Sequence, residues 1–171
     1  MKTLKEILSE AMGEVTFSGI LKLKLDPQTA MSIRKLEEDL PPEANALSPE
    51  DLHVTLIHQD VLRPYKAELK SADLSHLEVP KVVVTDKIYK IERPSRTSWI
   101  SVLANQNEMQ KFVGDFMQKL GAPSSERRVY HITIANLTGA TDASVGDVQR
   151  KDIIGRNLVS NVLQDSENSV E

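Results

Sequence analysis

Cysteine is absent from this chain. That excludes a disulfide framework and any thiolate metal site, and it suits a reducing compartment. Aromatic residues are scarce, at 4%, with a single tryptophan, Trp99. No apolar run approaches the roughly 20 residues that a membrane-spanning helix needs. The opening "MKTLKEILSEAMGEV" sets Glu6 and Glu10 inside its apolar stretch and so lacks the unbroken core of a signal peptide. The expectation is a cytoplasmic protein with no membrane partner. An excess of basic charge is also missing. The formal charge of -4 argues against a protein that coats long duplex nucleic acid, where affinity comes from many phosphate contacts on a basic face. A small anionic ligand gripped locally stays open. The 171 residues are enough for one domain with a sizeable core.

Several elements are legible from periodicity. Leu4, Ile7, Leu8 and Ala11 fall at helical intervals, so residues 1–14 read as a lead-in helix. "VTFSGILKLKLD" alternates, with Leu21, Leu23 and Leu25 on one face and Lys22 and Lys24 on the other, the period of a half-buried strand. Asp26 and Pro27 suit the N-cap and first position of a helix striped by Ala30, Ile33, Leu36 and Leu40. A proline-rich connector leads to the strand "LHVTLIH", a short helical "RPYKAELKSADL", and β structure broken near Pro80. Then the order returns. "TSWISVLA" reads as a strand, 105–120 as a helix burying Met109, Phe112, Val113, Phe116 and Leu120 with Gly121 as its stop, and "RVYHITIANL" as a strand. The organisation is a duplicated core over 15–137 and a C-terminal extension over 138–171. In the extension "GATDASVGD" reads as loop and the polar end as disordered.

Each half contains one His-apolar-Thr-apolar phrase, "HVTL" at His53 and "HITI" at His131. Residues two apart on a strand share a face, so His53 and Thr55 project together while Val54 and Leu56 point to the buried side. His131 and Thr133 do the same, backed by Ile132 and Ile134. Two such phrases coincide by chance on the order of once in a thousand chains of this length. If the strands are neighbours about a pseudo-dyad, two imidazoles and two hydroxyls converge on one groove. One neutral imidazole can then take a proton from an attacking hydroxyl or water while the other, as imidazolium, protonates a leaving oxygen. The threonine hydroxyls can donate to phosphoryl oxygens. An unperturbed imidazole pKa near 6.5 lets both forms exist at neutral pH. Neither a metal nor another cofactor is required.

This pair of motifs, each after a strand and a helix in its own half, resembles the 2H phosphoesterase superfamily, also called LigT-like or 2'-5' RNA ligase-like. The resemblance spans about Val15 to Leu137. It implies an α+β, bilobal, pseudo-twofold fold of two antiparallel sheets flanking a central groove, with helices outside. It implies catalysis by His53, Thr55, His131 and Thr133 without metal. It also implies a nucleotide or short oligonucleotide substrate. Two substrate classes compete: cyclic-oligonucleotide messengers, as destroyed by similar phage-encoded members that evade bacterial immunity in the host cytoplasm, and RNA with 2',3'-cyclic ends or 2'-5' linkages. RNA-directed bacterial members often continue the second motif into arginine, where this chain has Asn136; with the acidic balance, that tilts toward small cyclic nucleotides. A non-catalytic module that binds a nucleotide or a protein is the reading from another class. Oligomeric state is not legible.

Other residues carry weaker signals. If Ile100 and Val102 face the core as Leu21 and Leu23 do, Trp99 and Ser101 share the groove face with Lys22 and Lys24. Trp99 would then stack on a base and the lysines would meet phosphate. A core Trp99 and a solvated lysine face are at least as ordinary. His58, five positions after His53, points away from the site by strand parity and reads as structural. His76 reads as a loop residue, and Tyr130 faces away from the histidine that follows it.

Overall fold

The computed structural model describes residues 14–74, 77–123, 128–146 and 148–161. The lead-in helix, His76 and the polar tail lie outside the described residues. The fold is α+β, with helices packed on an open antiparallel sheet. Its strands are β1 (Glu14–Phe17), β2 (Leu21–Lys24), β3 (Asn45–Ala46), β4 (His53–Ile57), β5 (Val84–Arg93), β6 (Arg96–Leu103), β7 (His131–Asn136) and β8 (Leu158–Asn161). Their order is β1-β2-β4-β7-β6-β5-β8, with β3 also pairing with β7. Among the described strands every pairing is antiparallel.

The two halves are joined rather than separate. β4 and β7 meet at the single register pair Val54 and Ile132, after which β3 takes over the edge of β7 at Ala135 and Asn136. The expected pair of sheets is therefore one hydrogen-bonded path. On either side of the join the pairing repeats. Lys22 stands across from Thr55, Leu23 from Val54 and Lys24 from His53; Ile100 stands across from Thr133, Ser101 from Ile132 and Val102 from His131. Each ladder then slips by one residue, between Leu21 and Lys22 in the first half and between Trp99 and Ile100 in the second. A bulge of this kind bends and twists a strand locally.

Local chemistry explains the helices. α1 (Pro27–Glu37) begins where the Asp26 carboxylate accepts from the Thr29 backbone N–H at 2.8 Å and from its hydroxyl at 2.8 Å. It buries Ile33 and Leu36. The helical run 59–71 comprises α2 (Gln59–Leu62), a 3-10 turn (Arg63–Tyr65) and α3 (Lys66–Ser71). α4 (Gln106–Leu120) buries Met109, Val113, Phe116 and Met117 and ends at Gly121 with φ 77°, a left-handed conformation that favours glycine. Among the described residues no helix is long and apolar enough to cross a membrane.

Three segments differ from the sequence expectation. "VTFSGILKLKLD" is a hairpin, not one strand, because Gly19 takes φ +94° and the Ser18 N–H bonds the Ile20 carbonyl. Asn45–Ala46 and Leu158–Asn161 are strands that their short, mixed sequences do not announce. The C-terminal extension packs back onto the sheet. Val145 and Val148 form a second apolar cluster with Tyr89, Ile91 and Ile100, on the sheet face opposite the helices.

Candidate active site

Alternation on β4 and β7 divides the sheet. Val54 and Ile132 are fully buried on the helix side. Their neighbours His53, Thr55, His131 and Thr133 are half-buried on the other side. Because Val54 stands opposite Ile132 in an antiparallel pair, the register carries His53 toward Thr133 and Thr55 toward His131. The four residues of the two motifs thus share one face across one strand junction.

Both imidazoles are anchored alike. Nδ1 of His53 lies 2.7 Å from the carbonyl oxygen of Asp51, and Nδ1 of His131 lies 3.0 Å from that of Val129. A carbonyl only accepts, so Nδ1–H donates in each case. Nε2 is left as the basic nitrogen of the neutral ring. For His53 this Nε2 lies 3.2 Å from Oγ1 of Thr55, whose hydroxyl donates to it.

The electrostatics bring the pair together. Burial lowers the proton affinity of His53, partly offset by its hydrogen bond to Asp51, and the positive charge of Lys22 lowers it further. Burial likewise lowers that of His131, partly offset by the bond to Val129, and a charge on His53 pushes it down again. A proton on His53 thus disfavours a proton on His131.

The lysines sit where alternation expects them. Lys22 is half-buried across from Thr55, and Lys24 is exposed across from His53. Trp99 does not join them, and its expected groove position is corrected. It is fully buried in the main core with Leu103, Ile132 and Ile134. Its indole N–H has no hydrogen-bond partner among the described residues, and Lys90 Nζ stands 5.6 Å from its ring centroid. The physical reason is register. Trp99 is the counterpart of Leu21, each 78 positions apart as His131 is from His53, and both precede the ladder slip. Ile100 and Val102 therefore take the places of Lys22 and Lys24 on the histidine side of the sheet, and Ser101 takes the core-side place of Leu23. The correspondence lies in the 78-residue spacing of the two His-x-Thr motifs and not in the apolar alternation.

Two further residues have structural roles. His58 is half-buried at the start of α2, where its carbonyl accepts from Val61 and Leu62, and its ring lies against Gly146. Asn136, fully buried, organises the turn after β7: its side-chain N–H groups donate to the Ala140 carbonyl at 2.6 Å and the Ser144 hydroxyl at 3.1 Å, and its carbonyl accepts from the Gly139 N–H at 2.6 Å. Sequence reasoning singled out Asn136 only as a missing arginine. An amide followed by Thr138-Gly139 is the turn signal that was there to be found.

No protein-family model matches the chain, and no curated sequence is significantly similar to it. Among the described residues no group of three or more His, Asp or Glu side chains is placed to hold a metal ion. The arrangement offers two basic nitrogens, two hydroxyls and one flanking ammonium on a common face.

Proposed function

We propose that this protein is a phosphodiesterase of the 2H type, bilobal about the junction of β4 and β7, that cleaves a nucleotide phosphodiester by acid/base chemistry without metal. One observation carries the reading: His53 and His131 have the same Nδ1 anchor and therefore present the same nitrogen, Nε2, to one face. Two equivalent imidazoles with opposed protonation are what in-line displacement at phosphorus needs. The neutral ring takes the proton of the attacking hydroxyl or water at Nε2 as its oxygen bonds to phosphorus. The protonated ring gives its Nε2 proton to the leaving oxygen as the second P–O bond breaks. Thr55, Thr133 and Lys22 offset the negative charge on the non-bridging oxygens.

The substrate is a small nucleotide, with cyclic oligonucleotides favoured over long RNA. Support comes from the C-terminal segment: Val145 and Val148 cover Ile100 on the groove side of the second half, which shortens the open face beside His131. The test is a metal-free assay containing EDTA, offering an RNA ending in a 2',3'-cyclic phosphate, a 2'-5'-linked oligoadenylate, and cyclic di- and trinucleotides, with products resolved by chromatography. Linearisation of the cyclic panel, lost in His53→Asn and His131→Asn, is expected. Faster opening of the RNA end would move the assignment to RNA processing. Turnover that disappears with EDTA and returns with a divalent ion would overturn the acid/base mechanism.

A further inference from the structure

Outside the His-x-Thr face, the molecule has a cleft of about 400 Å³ between the β1–β2 turn and the helical run 59–71. Phe17 and Leu62 supply apolar wall, and Gln59, Arg63, Lys66 and Lys70 line it from the helical side. Those helical positions recur at intervals of three and four, so they form one stripe facing the turn. No carboxylate is among the lining residues. Asp60 pairs with Arg63 at 3.1 Å, while Lys66 and Lys70 have no ion-pair partner among the described residues. Three cations thus line one cleft of a chain whose formal charge is -4. The turn also keeps the cleft open. Gly19 has φ +94°, and a Cβ there would come to 4.0 Å from the Gln59 side-chain oxygen, so any larger side chain would project across the gap.

We propose that this cleft binds a phosphate group, namely a non-scissile phosphate of the same substrate whose scissile phosphodiester lies at His53 and His131. The second clause rests on the phosphodiesterase reading; the first does not. Chain geometry links the two sites. Gln59 follows Thr55 by four residues, which limits their Cα separation to roughly 14 Å even in a fully extended chain. A span up to that bound is within the reach of an oligonucleotide of two or three residues, which carries a second phosphate where a nucleoside monophosphate has none to offer. The cleft therefore selects substrates with more than one phosphate, through ammonium and guanidinium groups that recognise phosphate oxygens. The half-buried Phe17 gives an apolar surface beside those oxygens.

Two measurements test the proposal and separate it from the function of the groove. Inorganic pyrophosphate is titrated into the isotope-labelled protein and backbone amide shifts are followed. The amides of Ser18, Gly19 and the 59–71 run are expected to move, with binding weakened roughly tenfold in the Lys66→Gln/Lys70→Gln double variant and unchanged in His53→Asn/His131→Asn. Silence at those amides, or equal binding by the lysine variant, overturns the cleft as an anion site whether or not the groove is catalytic. In the second measurement, steady-state kinetics compare a 2'-5'-linked diadenylate with and without a 5'-phosphate. The lysine variant is expected to raise KM about tenfold for the phosphorylated substrate alone, with kcat unchanged. An equal KM change for both substrates, or a loss confined to kcat, overturns the assignment of the cleft to a second phosphate. If pyrophosphate fills the cleft but no phosphodiester is turned over, the phosphodiesterase reading fails and the shared-substrate clause with it.

Discussion

A positive charge on His53 lowers the proton affinity of His131, although the two residues are 78 positions apart and belong to different strands. The strand junction at Val54 and Ile132 makes them neighbours, and each ring is turned the same way by a carbonyl two residues upstream.

Under the proposed mechanism, replacing either imidazole removes one proton carrier without touching the core beneath it. His53→Asn and His131→Asn are each expected to retain the wild-type circular dichroism spectrum and lose on the order of 10²- to 10⁴-fold in kcat. Full activity in either folded variant would rule the pair out as acid and base. His58→Asn, at the start of α2, should keep wild-type turnover.

The activity profile should be bell-shaped, with its acid limb below the usual histidine value of 6.5, because burial lowers both groups. Lys22 adds to the depression at His53. Lys22→Gln should therefore move upward the limb that His53 governs, and a profile unchanged by that substitution would show that Lys22 does not act on the pair.

Stability should follow the same groups with a definite sign. Since both histidines bind a proton less readily when folded, the unfolded chain holds more protons between the folded values and about 6.5. Their contribution is complete above that value and is lost as pH falls through the window. The urea midpoint should drop between pH 7.5 and pH 5.5, and the drop should be smaller in the His53→Gln/His131→Gln double variant. Equal slopes for the two proteins would contradict the assignment.

Trp99 is a core residue, so Trp99→Ala should cost about 3 to 5 kcal/mol in chemical denaturation. Trp99→Phe keeps most of the ring volume and removes the unpartnered indole N–H, and it should cost less. The KM of the folded Phe variant should match wild type. A raised KM with unchanged stability would return the residue to the groove.

Asn136 holds the turn that leads Val145 and Val148 onto the sheet. Asn136→Ala leaves buried partners unsatisfied and should destabilise the protein by about 1 to 3 kcal/mol. Amide exchange at 138–146 should accelerate, while α1 in the other half keeps its protection. Uniform exchange would show that the turn does not depend on this side chain.

The α+β class, the strand-helix-strand order of both halves, the N-cap at Asp26 and the shared face of His53 with Thr55 and His131 with Thr133 followed from the sequence alone. Each depends on interactions within a few residues: a period of two or of 3.6, a carboxylate three positions from an amide, a glycine where φ turns positive. Only the tertiary structure decided that Trp99 is core, that Asn136 builds a turn, that Val145 and Val148 pack against Ile100, and that Lys66 and Lys70 share a cleft with Gly19. A one-residue slip between paired strands reverses which side a neighbour faces. The slips at Leu21/Lys22 and Trp99/Ile100 are properties of the partner strand as much as of the strand that contains those residues. Register between segments dozens of residues apart is fixed by what they bury together, and no local pattern records it.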